Sequence, residues 1–140
     1  MKLNAYLLFN GNCEEAFKFY EKCLGGKIEA MLPHAGTPAE QQAPPEWRNK
    51  ILHACLKVGD QMLMASDCPP DRYFVPAGFS VSLIIEDPAD AERLFHALEE
   101  GGKVIMPIQK TFWAARFGML VDRFGIPWMI NCTQAAQQAA

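Results

Sequence analysis

His53 and Cys55 stand two residues apart in a segment whose pattern is that of a strand, so alternation places imidazole and thiol on one sheet face. A base and a thiol side by side could support nucleophilic chemistry or supply half of a metal site. The competing reading is a hydrogen-bonded buried histidine beside a small apolar cysteine. His34 lies in a long loop, where it is either a lid residue or a solvated one. His96 sits beside the apolar stripe of a helix, the position of a surface histidine. In the second half of the chain, Arg116 offers a planar fork for a carboxylate or phosphate, and Trp113 could stack on a ring. Arg116 could equally pair with Asp122 at strand ends. Tyr6 could orient a ligand through its hydroxyl, and Met62, Met64 and Met129 would make either a soft pocket wall or a plastic core. Trp128, out of phase with Met129, belongs to the opposite face and therefore to the core.

The elements that must position these residues occur twice. Leu24-Gly25-Gly26-Lys27-Ile28 recurs as Glu100-Gly101-Gly102-Lys103-Val104, each copy closing a helical pattern and opening a strand pattern. In the first copy Leu3 to Phe9 is almost wholly apolar, the pattern of a strand covered on both faces. Asn12 with Glu15 spells a capping box before a helix with its stripe on Ala16, Phe17, Tyr20 and Leu24. Lys27 to Leu32 is a strand and Pro33 to Asn49 a long proline-rich loop, and Gly59-Asp60 turns Ile51–Val58 into Gln61–Ala65. The second copy has a strand over Phe79 to Ile85 and a helix entered through Asp87-Pro88 with its stripe on Ala91, Leu94, Phe95 and Leu98. Strands follow at Lys103 to Pro107, Arg116 to Val121 and Ile126 to Asn131. The expected organisation is one α+β domain made of a β-α-β-β-β module over 3–66, a linker over 67–77, a second such module over 78–132, and a frayed Gln/Ala tail over 133–140.

Composition narrows the partners. The chain has 140 residues, half of them hydrophobic, and a formal charge of −3 with no basic block to track phosphates, so nucleic acid is not an expected partner. No apolar run approaches the roughly 20 residues of a membrane span, and no signal-peptide pattern opens the chain, so a cytoplasmic location is expected. Five cysteines without a C-x-x-C pair fit reduced thiols better than a disulfide framework or zinc knuckle.

The duplicated layout, Ala16-Phe17-Lys18-Phe19-Tyr20 before Leu24-Gly25-Gly26, and the closing Asp122-Arg123-Phe124-Gly125-Ile126-Pro127-Trp128 resemble the vicinal oxygen chelate superfamily of glyoxalases, bleomycin-resistance proteins and extradiol dioxygenases. Tyr6-Leu7-Leu8-Phe9-Asn10-Gly11-Asn12, His53-Ala54 and Trp113 through Phe117-Gly118 are most similar to its PhnB-like subfamily. The resemblance implies two tandem βαβββ modules curling into a cup-shaped mixed sheet with helices outside, commonly in a homodimer. It also implies a divalent metal held at the start of each module's first strand and within its last strand. Counted along this chain those positions are Asn4, Met64, Ser80 and Met129, none of them a good ligand for a hard or borderline divalent ion. Three readings follow. The leading one is a glyoxalase-fold protein with a degenerate metal site and no expected cofactor, binding a small, partly apolar ligand through Tyr6, His53, Met64, Trp113, Arg116 and Met129. A metal-dependent lyase, transferase or dioxygenase with a noncanonical ligand set including His53 is the second. A noncatalytic dimeric interaction protein is the third.

Overall fold

In a computed structural model, which describes residues 1–133, the chain divides into two compact modules, the first ending at Phe74 and the second beginning at Val75. Each is a four-stranded mixed sheet with one helix on one face. The first comprises β1 (Tyr6–Phe9), α1 (Cys13–Leu24), β2 (Lys27–Pro33), β3 (Ile51–Val58) and β4 (Gln61–Asp67), in sheet order β1-β4-β3-β2. The second comprises β5 (Val81–Ile85), α2 (Pro88–Glu99), β6 (Lys103–Gln109), β7 (Ala114–Val121) and β8 (Pro127–Thr133), in order β5-β8-β7-β6. In both, the first strand runs parallel to the last and the remaining pairs are antiparallel. This is the α+β duplication expected from the repeat.

Helical periodicity buries one stripe of each helix: Cys13, Ala16, Phe17, Tyr20 and Cys23 on α1, and Ala91, Phe95 and Leu98 on α2. Those stripes meet alternate residues of the strands, including Leu7, Phe9, Ala54, Leu56 and Ala65 in the first module and Leu120, Trp128 and Ile130 in the second. Trp128 is core, as its phase requires.

The repeated glycine pair has two separate jobs. Gly25 and Gly101 take left-handed φ values of 72° and 74°, which turn the chain out of each helix at little steric cost. The second glycine of each pair is needed for space. A Cβ at Gly26 would lie 2.6 Å from the Lys57 carbonyl oxygen, and one at Gly102 would collide with the Val121 carbonyl oxygen and the Asp122 backbone. Each marks where the loop after the helix crosses the hairpin backbone, so the motif recurs because the crossing recurs.

Several boundaries differ from the sequence expectation. β1 begins at Tyr6, and its alternation buries Leu7 and Phe9 while Tyr6 and Leu8 stay exposed, so it is covered on one face within the chain rather than on both. β5 begins at Val81, with Phe79 outside it and half exposed. Asp67, assigned to the linker, is the last residue of β4, and Thr133, assigned to the tail, closes β8; residues 134–140 of that tail lie outside the described residues. The loop after β2 is not featureless: it contains 3-10 turns at Pro38–Gln42 and Pro45–Trp47 and buries Trp47.

The capping box at Asn12 does not form. Asn12 makes no side-chain cap bond to α1. Asp67, at the end of β4 and 54 residues beyond Cys13, replaces it: its Oδ1 accepts from Gly11 N (3.0 Å) and Cys13 N (2.9 Å), and its Oδ2 from Ile51 N (2.8 Å). An ionised carboxylate at a helix N-terminus is a stronger acceptor than a neutral amide, and this one also pins the start of β3.

Candidate functional site

Alternation divides the first sheet into a face covered by α1 and an open face. Paired residues of neighbouring strands share a face, so the register Tyr6↔Met64 and Cys55↔Met64 puts these three side chains together on the open one. His53, two residues before Cys55, joins them. The Tyr6 hydroxyl and His53 Nδ1 are hydrogen-bonded at 3.2 Å, and the two rings stack with centroids 5.9 Å apart and planes 25° from parallel. Met62 and Leu8 extend the same face.

His53 therefore has its Nδ1 engaged by Tyr6, and Cys55 points its sulfur elsewhere. The Cys55 thiol contacts Met62 Sδ at 3.6 Å. Burial first, and then the charge of Glu29, pushes the Cys55 thiol above its ordinary pKa. A thiol held protonated is a poor nucleophile at neutral pH. The side chain His53 engages is Tyr6, an oxygen donor and acceptor on a soft apolar surface.

In the second module the open face carries Ser82, Ile84, Phe117, Met119, Met129 and Asn131, aligned by the pairs Ser82↔Met129, Ile84↔Asn131, Met119↔Met129 and Phe117↔Asn131. Trp113 packs edge-on against Phe117 (5.4 Å) and against exposed Phe112 (4.8 Å). Met129 thus lies on the open face, with Trp113 against its neighbour Phe117. Arg116 is held from α2: its Nε donates to Glu92 Oε1 at 2.9 Å and its Nη1 contacts the Ala115 carbonyl oxygen at 2.6 Å. The alternative pairing with Asp122 does not occur. Both oxygens of buried Asp122 serve the closing hairpin instead, accepting from Phe124 N (2.8 Å), Ile126 N (3.0 Å) and Trp128 Nε1 (2.8 Å).

His34 and His96 fall on opposite sides of their expectations. His34 is 9% exposed, not solvated, and its Nδ1 donates to the Lys50 carbonyl oxygen at 2.9 Å. The missed signal was nonlocal: the backbone of His34 pairs with Lys50 and that of Ala35 with Arg48, folding the loop back on itself. His96 is a surface residue, lying 3.4 Å from Glu92 and 3.0 Å from Glu99.

The comparisons agree with this architecture. The chain belongs to the Glyoxalase/Bleomycin resistance protein/Dioxygenase superfamily, whose family model matches residues 2–130. It is 32% identical over 139 residues to protein YjdN of Escherichia coli (strain K12), covering 94% of this chain and 95% of that one. It is 52% identical to the crystal structure of protein PA1353 from Pseudomonas aeruginosa, with a TM-score of 0.87 over 96% of this chain and 98% of that one. A Bacillus cereus PhnB protein, described as a putative 3-demethylubiquinone-9 3-methyltransferase, shares the fold at 24% identity and a TM-score of 0.77, over 95% of this chain and 100% of its own.

Membership raises the question of a metal, and the donor set answers poorly. Asn4 is exposed and precedes β1, Ser80 precedes β5, and Met64 and Met129 present thioethers from the open faces of β4 and β8. Neutral amide and hydroxyl oxygens are weak donors, and thioether sulfur suits Cu(I) rather than zinc, manganese or iron(II). Among the described residues no three His, Cys, Asp or Glu side chains gather as a metal-ligating group. These residues do not fit the superfamily's divalent ion. Among the described residues, no helix is long and apolar enough to cross a membrane.

Proposed function

We propose that this protein uses the glyoxalase-type fold to bind a small, partly apolar molecule, with the metal position of the family given over to soft side chains. The observation that carries this reading is the open face of the first sheet. There the stacked, hydrogen-bonded Tyr6–His53 pair stands among Leu8, Met62 and Met64. Methionines make an adaptable apolar wall, and one polar pair on it fixes orientation without demanding a charge. Met129 and Trp113 are carried as ligand-binding candidates on the second module's own open face, and Arg116 as a cation of that module already engaged by Glu92. A homodimer is part of the reading, tested by whether light scattering gives the mass of two chains.

The deciding experiment is elemental analysis of protein purified without chelator or affinity metal, normalised per chain. The expected result is no stoichiometric zinc, nickel, manganese or iron, before or after soaking. In parallel, the His53 ring resonances are expected to move when small aromatic alcohols are added. One equivalent of bound divalent metal overturns the reading in favour of a metalloenzyme with His53 among its ligands.

A further inference from the structure

Where the first sheet meets the folded loop after β2, a cavity of about 530 Å³ opens between that loop and the chain following β4. This size is in the range that holds small organic ligands. Leu8, Leu52 and Trp47 supply apolar lining. His34 also lines it, and His34 is more than nine-tenths buried.

The protonation of His34 follows from its partner. A carbonyl oxygen can only accept, so the bond from Nδ1 to Lys50 O places the ring hydrogen on Nδ1. In the neutral ring Nε2 then carries a lone pair. Among the described residues nothing donates to it and it is not sealed from solvent, which leaves it as the available acceptor on a residue that lines the cavity. A buried ring fixed in one tautomer offers an acceptor at a cavity of mixed polar and apolar lining. Among the described residues Trp47 Nε1, on another lining residue, is a buried donor without a partner, so a ligand hydroxyl, which both donates and accepts, fits.

The charges around the cavity select against a strongly ionic ligand. Asp67 lines it, but its carboxylate is consumed by three backbone N–H groups. Arg72 and Asp71 are adjacent, exposed and of opposite sign, so their fields largely cancel.

We infer that this cavity binds a neutral hydroxylated aromatic of the phenol class, its ring against Trp47, Leu8 and Leu52 and its hydroxyl donating to His34 Nε2. The inference rests on the proposed reading that the first module takes a small, partly apolar ligand. It adds a second anchor for that ligand class in the same module, His34 of the loop, separate from the Tyr6–His53 pair.

The test compares p-cresol with 4-methylanisole, which has nearly the same shape and no hydroxyl hydrogen, by calorimetry and by NMR of the histidine rings. The expected result is that p-cresol binds about tenfold tighter than the ether and moves the His34 ring resonances. The variant His34→Asn is chosen because its amide nitrogen can keep the bond to Lys50 O while the Nε2 acceptor is lost. It is expected to erase the preference. Equal binding of the two probes, or no binding of either, overturns the inference. If p-cresol moves the His53 resonances alone, the inference falls while the proposed function stands; if it moves neither ring, both lose their support. The wild-type comparison decides the matter even if the variant does not fold.

Discussion

Asp67 in the first module and Asp122 in the second are both buried acids that accept three hydrogen bonds, yet they close different distances. Asp67 joins the ends of three elements, from the turn before α1 to the start of β3, across as many as 56 residues. The bonds Asp122 accepts from Phe124 N, Ile126 N and Trp128 Nε1 lie within its own hairpin, Trp128 being six residues on. The helix caps show the same contrast. α2 is capped by Asp87, whose side chain accepts from Ala89 N at 3.2 Å, whereas α1 depends on Asp67. It is the acids that differ: in the first copy a carboxylate ties distant elements, whereas in the second the long-range ties are Arg116 to Glu92 and the Cys132 thiol to the Glu86 carbonyl oxygen. The first copy also holds the cavity with the buried His34 and the hydrogen-bonded Tyr6–His53 pair.

The sharpest break of that contrast is to remove each acid. Asp67→Ala leaves three N–H groups without their charged acceptor, two of them on buried residues, and is expected to cost on the order of 4 kcal/mol in chemical denaturation. Asp122→Asn keeps one acceptor oxygen but turns an amide donor toward one of its three donors, and about 2 kcal/mol is expected. If Asp122→Asn proves the more damaging, the long-range carboxylate is not what distinguishes the first module.

The glycine crossings test whether the modules are equally tight. Gly102 would meet backbone on every side, and backbone cannot swing away; Gly26 would meet one carbonyl and the flexible ends of Val58 and Leu56. Gly102→Ala is therefore expected to destabilise more than Gly26→Ala, with both in the range of about 1–3 kcal/mol. Thermal melts of the two variants read the order directly. Smaller still is Tyr6→Phe, which removes one hydrogen bond on a solvent-facing surface and is expected to cost about 1 kcal/mol or less. Its more telling readout is the His53 ring, whose NMR signals should shift when the Tyr6 hydroxyl goes.

What was legible in the sequence follows the same division. The repeat Gly-Gly-Lys, the Asp87-Pro88 helix start and the helical stripes are local signals, and each produced the element it announced. Asn12 and Glu15 also looked like a local signal, but a carboxylate from the end of β4 outcompeted the amide, and nothing near residue 12 encodes that. His34 was misread for the same reason: its burial depends on the loop pairing back on Lys50 and Arg48. For Arg116 the sequence offers Asp122 as a structural partner, and Glu92, which nothing near residue 116 announces, supplies it from the helix instead. The alternation that groups Tyr6, His53 and Met64 was readable because period two is a property of the strand itself.

The weakest effect falls on the second module and concerns pH. The hydrogen bond from Glu99 raises the His96 pKa above its ordinary 6.5, opposed by some desolvation and aided by the charge of Glu99 and by Glu92. A histidine whose folded pKa is raised contributes stability that is fully present below its unfolded value and is lost as pH rises through the folded one. The loss therefore begins near pH 6.5 and runs upward. With the His96 side chain 57% exposed, solvent screening limits the contribution to roughly a few tenths of a kcal/mol. Loss of the imidazolium also leaves Glu92 to Arg116 alone, because Glu92 is shared between them at 3.4 and 2.9 Å. In His96→Gln, the change in melting temperature between pH 6 and pH 8 should shrink relative to the unaltered chain. An unchanged difference would mean that Arg116 already satisfies Glu92 and that His96 contributes nothing to the fold.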